Sequence, residues 1–201
     1  MQYPLGTIMN HINIMRSISF AALVLISANA FAADAKSSTL LYISPNDYTY
    51  SVRLLHPYYD YWFEQGPIVE PILLDGLKDK FTDLSLCKAN ETADKVIRVT
   101  PSLFYNPMLR YYYGKLIATV YSGSGTILGQ YVGEGMHQGY MSVNHAIPMH
   151  LEKAYSVAMQ DLMTKIEADK ANIEKVDINT TDTKMSCGLI GLQPEPRIKF
   201  Y

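Results

Sequence analysis

The chain has 201 residues, 48% of them hydrophobic and 18% charged, with a formal net charge of −2. That length and apolar share suffice for one domain with a real core. The slightly acidic balance excludes the basic surface that a nucleic-acid binder needs.

The first element in the chain is an export signal. Met15-Arg16 starts a short positive region, residues 18–26 form an apolar run, and Ala30-Phe31-Ala32 places small residues where a signal peptidase reads. The expected signal is residues 1–32, with translation starting at Met15 and cleavage after Ala32. The apolar run is shorter than the roughly 20 residues that span a bilayer, which favours processing over anchoring. No cysteine follows the signal, so the bacterial lipid-attachment site is missing. Only Arg16 among the charged residues goes with the signal, which leaves a mature net charge of about −3. The expected location is the periplasm or the extracellular medium.

Residues 39–44 read as a first strand, stopped by the Pro45-Asn46-Asp47 turn signal. Residues 48–63 read as an aromatic-rich connection with a short strand over 50–55. Gly66-Pro67 opens a helical pattern in which Val69, Leu73, Leu77 and Phe81 recur every four residues. Pro67 or Pro71 suits its first turn, where a missing N–H costs little. Alternation predicts strands over 95–105, 110–121 and 126–134, the last two joined by a hairpin at Ser122-Gly123-Ser124-Gly125. A long helix follows, from Asn144 or Pro148 to about Asp169. Ile147, Leu151, Tyr155, Ala158, Leu162 and Ile166 form its apolar stripe.

The element order β-α-β-β-β-α predicts a single small α+β domain over 33–170. Its sheet is mixed and mainly antiparallel, with two helices on one face. The strand-helix-strand start demands a parallel pair. Two helices on one side leave the other face open or available to a partner. Residues 171–201 read as a polar tail with an apolar island at 187–192. Cys87 and Cys187 are the only cysteines. A lone pair in an oxidising compartment predicts one structural disulfide, which would tie this tail to the domain. The pair lacks the Cys-x-x-Cys spacing of a redox couple.

No catalytic spacing stands out. There is no Gly-x-Ser-x-Gly elbow and no His-Glu-x-x-His, and Ser122–Gly125 has no helix after it to cradle phosphate. The glycines at 129, 133, 135 and 139 read as strand twist, bulges or close backbone packing. Neither an enzyme nor a bound cofactor is expected.

Two constellations point to binding. Aromatics crowd into two clusters, one with Tyr58, Tyr59, Tyr61, Trp62 and Phe63, the other with Phe104, Tyr105, Tyr111, Tyr112 and Tyr113. Tyr58, Tyr59, Tyr61, Trp62, Tyr111, Tyr112 and Tyr113 are the candidate partner-binding residues, because tyrosine offers a large apolar face with a polar tip. The second constellation runs from Met136 to His150, with Met141, His145 and Met149 as candidate ligands for copper. Its structural alternative is methionine filling gaps in a core.

A helix over 66–81 leads into Ala93–Val99; a long hairpin around Ser122–Gly125, the run Gly129–Gly135 and an amphipathic C-terminal helix follow. This arrangement resembles the small α/β domains of bacterial envelope accessory proteins: YajG-like lipoproteins, auxiliary components of lipid-transport ABC systems and the TolB N-terminal domain. The resemblance implies an assembly or binding part, and it carries over no catalytic residue. The expected function is an exported, non-enzymatic accessory protein that binds another envelope protein. The alternative is a small-ligand binder, for a glycan through the aromatic clusters or for copper through the Met/His series.

Overall fold

The computed structural model describes residues 38–55, 60–81, 83–88, 91–141, 146–174 and 184–194, all within the unit Lys36–Tyr201. The signal segment lies outside them, and so do Tyr58, Tyr59 and His145. In chain order the elements are β1 (Thr39–Ile43), α1 (Pro45–Thr49), β2 (Ser51–Leu55), β3 (Asp60–Glu64), α2 (Gly66–Leu77) and β4 (Leu84–Leu86). Then come β5 (Thr92–Ala93), β6 (Lys95–Asn106), β7 (Tyr111–Ser122), β8 (Ile127–Gln138), α3 (Ile147–Ala168), α4 (Lys170–Ile173), β9 (Met185–Ser186) and α5 (Cys187–Ile190).

Five strands form the main sheet in the order β4-β1-β6-β7-β8. β1 runs parallel to β4 and β6, while β6, β7 and β8 form an antiparallel meander. This is the expected mixed α+β sheet. It is wider than the sequence reading by β4, a three-residue strand too short to show a period.

The connection over 45–64 is richer than expected. Pro45 opens the short helix α1, whose N-cap is Ser44: its hydroxyl accepts from the Asp47 N–H at 3.0 Å. β2 and β3 then pair antiparallel as a separate hairpin, with Arg53 opposite Trp62 and Leu54 opposite Tyr61. Pro71 sits inside α2 on an exposed position rather than in its first turn. It removes one intrahelical bond, and Val69, Leu73 and Leu77 are buried around it.

The core lies between the sheet and the two long helices. Leu41, Ile97, Val99, Leu116, Ala118 and Val120 meet Val69, Leu73 and Leu77 of α2 and Leu151, Tyr155, Ala158 and Leu162 of α3. The Tyr155 hydroxyl donates to Gln65 Oε1 at 2.6 Å, a buried link between α3 and the start of α2. Burial holds that phenol far above its ordinary pKa. The glycines of β8 do bring backbones close: a Cβ on Gly133 would stand 2.2 Å from the Ala158 carbonyl oxygen, and one on Gly135 would stand 2.3 Å from the Ala158 nitrogen.

On the opposite face a second, smaller core joins Leu40, Ala93, Val96 and Tyr121 to Met185, Cys187 and Ile190. Cys87 and Cys187 are disulfide-bonded, with Cα atoms 5.7 Å apart and a sequence separation of 100. Arg98 Nη1 donates to the Gln193 carbonyl at 2.9 Å. The C-terminal segment therefore covers one half of this face.

Candidate functional site

None of the described residues covers the other half of that face. Strand alternation puts Ser102 and Phe104 of β6, Tyr111, Tyr113 and Lys115 of β7, and Glu134 and Met136 of β8 on this side. Register aligns them in rows: Phe104 opposite Tyr113 and Tyr113 opposite Met136, then Ser102 opposite Lys115 and Lys115 opposite Glu134. The Phe104 and Tyr113 rings stack with centroids 6.0 Å apart, and Tyr111 lies 6.2 Å from Tyr113. Lys115 Nζ and Glu134 Oε1 pair at 2.7 Å. All of these except Tyr111 line an open concavity of about 560 Å³. Phe104 is 61% exposed and Met136 52%, high values for apolar side chains near the ends of paired strands.

Tyr112, expected beside its neighbours on a recognition surface, lies in the core with no exposed area. The period of two forces this. Leu116, Ala118 and Val120 point to the helices, and Tyr112 is in phase with them. Its ring packs 4.5 Å from Tyr105 and stacks 5.3 Å from His150. Sequence reasoning placed Phe104 in the second cluster and Met136 in the Met/His series, but neither among the candidate partner-binding residues. Cross-strand register brings them to Tyr113, and a single strand's pattern does not reveal register.

Of the first aromatic cluster, the structure describes Tyr61, Trp62 and Phe63. Tyr61 packs towards the helix-side core and stacks on Phe63 at 6.4 Å. Trp62 points outward and is 59% exposed. The Arg53 guanidinium lies 5.8 Å from its ring centroid and pairs with Asp60 at 2.6 Å.

The expected copper ligands are not gathered by what the structure describes. Met141 is buried in the core and Met149 is exposed at the start of α3. Among the described residues no group of three or more His, Cys, Asp and Glu could hold a metal. Two histidines do meet: His137 Nε2 and His150 Nδ1 are 3.0 Å apart. Both pKa values are lowered from the ordinary range, first by burial. The charge of Lys153 adds to this at both rings, and His150 adds to it at His137.

A cavity of about 450 Å³ at the far end of the sheet is lined by balanced charges, including the Lys80–Glu167 and Lys170–Glu174 pairs at 2.8 and 3.3 Å. Its three lysines balance its three carboxylates, and Phe81, Ile166 and Ile173 complete the lining with Thr39. Among the described residues no helix is long and apolar enough to cross a membrane.

No protein-family model matches the chain, and no curated protein matches it. Solved structures show distant likeness. A Xanthomonas campestris protein of the DUF330 family superposes with a TM-score of 0.49 at 8% identity, over 67% of this chain and 86% of that one. A candidate lipoprotein from Caulobacter crescentus CB15 superposes with a TM-score of 0.33 at 12% identity, over 55% of this chain and 84% of that one. Similarity at this level assigns neither family nor activity.

Proposed function

We propose that the protein is an exported, non-enzymatic accessory protein that binds another protein of the bacterial envelope through the uncovered half of its sheet. The observation that carries this is the Phe104–Tyr113–Met136 row, exposed at Phe104 and Met136 and half-buried at Tyr113, beside the Lys115–Glu134 pair. An apolar aromatic centre with a charged margin is the anatomy of a protein interface. Two further features support the setting. The Cys87–Cys187 bond suits a chain that matures in an oxidising compartment, and residues 1–32 carry the pattern of a secretion signal. The finer likeness, to YajG-like or ABC-auxiliary envelope proteins, belongs to the same proposal.

The test is a crosslinking pull-down from intact envelopes, comparing the unsubstituted protein with a Phe104→Ala, Tyr113→Ala double variant. One enriched envelope protein, lost from the double variant while the fold persists, supports the reading. No enrichment under efficient crosslinking overturns it. The stacked Phe104 and Tyr113 rings in a concavity also suit a sugar face. A soluble glycan that binds the concavity directly, with no protein captured, would favour that second reading.

A further inference from the structure

On the helix side of the sheet, the structure joins two side chains that lie 13 residues apart in sequence. His137 stands near the end of β8 on the face turned to α3, and His150 stands in the first turn of α3. Their nitrogens approach to 3.0 Å while the ring centroids are 5.1 Å apart. The difference is about two ring radii, so Nε2 of His137 and Nδ1 of His150 face each other across the gap. Packing orients the His150 ring. Tyr112 stacks on His150 at 5.3 Å, and Gly139 backs it so closely that a Cβ there would stand 2.4 Å from Nδ1. Both histidines stay partly open to solvent.

We infer that His137 and His150 form a two-coordinate site for a soft monovalent metal ion, copper(I) by chemical class. Two facing imidazole nitrogens supply two donors of the kind copper takes, once the proton shared between them has moved. Zinc asks for four ligands around a tetrahedron, and no third His, Cys, Asp or Glu joins the pair among the described residues. The cation that acts on both rings is Lys153, and its repulsion weighs less on a monovalent ion than on a divalent one.

The proton inventory closes without release or uptake. One proton now lies between the rings; on binding it moves to the outer nitrogen of the ring that carried it. Both imidazoles remain neutral, each then donating one lone pair to the metal, and the copper keeps its oxidation state. A metal–imidazole bond of about 2 Å sets the two nitrogens about 4 Å apart, so the rings must part by about 1 Å. Both sit near the ends of their elements, where this is feasible. The site differs from the expected Met141–His145–Met149 set and is independent of the uncovered face.

The experiment is an anaerobic titration of the purified protein with copper(I), and with silver(I) as its air-stable d10 counterpart. A chelator such as bicinchoninate competes, and side-chain ¹⁵N NMR reports the ligands. The expected result is one ion per chain, with shifts at His137 Nε2 and His150 Nδ1. His137→Gln and His150→Gln should each weaken binding by more than the ~10–100-fold that loss of an outer-shell partner brings, whereas Met149→Leu should leave it unchanged. Absence of a one-to-one complex with the unsubstituted protein overturns the inference without any variant having to fold. Undiminished binding in His150→Gln does so too, as does loss of binding in Met149→Leu.

Discussion

The Asp161 carboxylate of α3 accepts a hydrogen bond from the Glu134 backbone N–H of β8 at 2.8 Å. Lys165, one helical turn on, donates to the Val132 carbonyl at 2.6 Å and pairs with Asp161 at 2.7 Å. β8 is the last strand of the sheet, and a long bare edge invites another chain to add to it. The helix ion pair here satisfies one N–H and one carbonyl of that edge.

Asp161→Ala should lower stability at neutral pH by about 1 kcal/mol, a charged hydrogen bond discounted for its partial exposure. The Lys165 hydrogen bond and the Glu134 N–H hold this carboxyl below its ordinary pKa. A lowered folded pKa gives stability that is present above the unfolded value and lost as pH falls through the folded one. Urea unfolding should therefore show the gap between the protein and Asp161→Asn closing below about pH 4. A gap that stays constant to low pH would refute this role.

Gly133→Ala and Gly135→Ala should each destabilise by about 1–3 kcal/mol, the usual range for overpacking. The added methyl would meet the α3 backbone at Ala158, which no rotamer change can move. Gly129→Ala is the contrasting case, because its near neighbour is the Tyr131 side chain. Thermal melts of the three variants check the order.

Tyr112→Ala and Tyr113→Ala should separate core from surface. Removing Tyr112 empties a fully buried site and should cost about 3–5 kcal/mol. Removing Tyr113 should leave the melting temperature nearly unchanged and reduce partner capture. Equal destabilisation by both would contradict the strand phase described here.

Much of this was legible in the sequence, and the misses have physical causes. β6 and β7 alternate so regularly that their extents and faces follow from period two alone. Carried back from Leu116 through Gly114, the same period places Tyr112 inside; three consecutive tyrosines obscure it. β3 hides for a similar reason, since Tyr61, Trp62 and Phe63 are all aromatic and conceal which of them faces the core. The glycine series of β8 was readable as close packing, but the element it approaches was not. The Phe104–Tyr113–Met136 row and the His137–His150 pair arise from cross-strand register and from docking of α3, which single-segment patterns do not encode.

Reduction of Cys87–Cys187 should release the C-terminal segment before the sheet opens. The chain-entropy model assigns up to about 4–5 kcal/mol to a closed loop of this length, and the segment's own core is small. Hydrogen exchange should show faster exchange at Cys187, whose N–H bonds the Glu91 carbonyl at 3.0 Å, while the β6 and β7 amides keep their protection. Loss of protection across the whole sheet would show instead that the segment is integral to the fold.

The most direct test of the central claim is site-specific photocrosslinking in intact bacterial envelopes, with a photoreactive residue at position 113 and a control at exposed Glu152 on α3. The account predicts one dominant adduct with an envelope protein from position 113 and none from position 152. No adduct at 113, or the same adduct in equal yield from both positions, would contradict it.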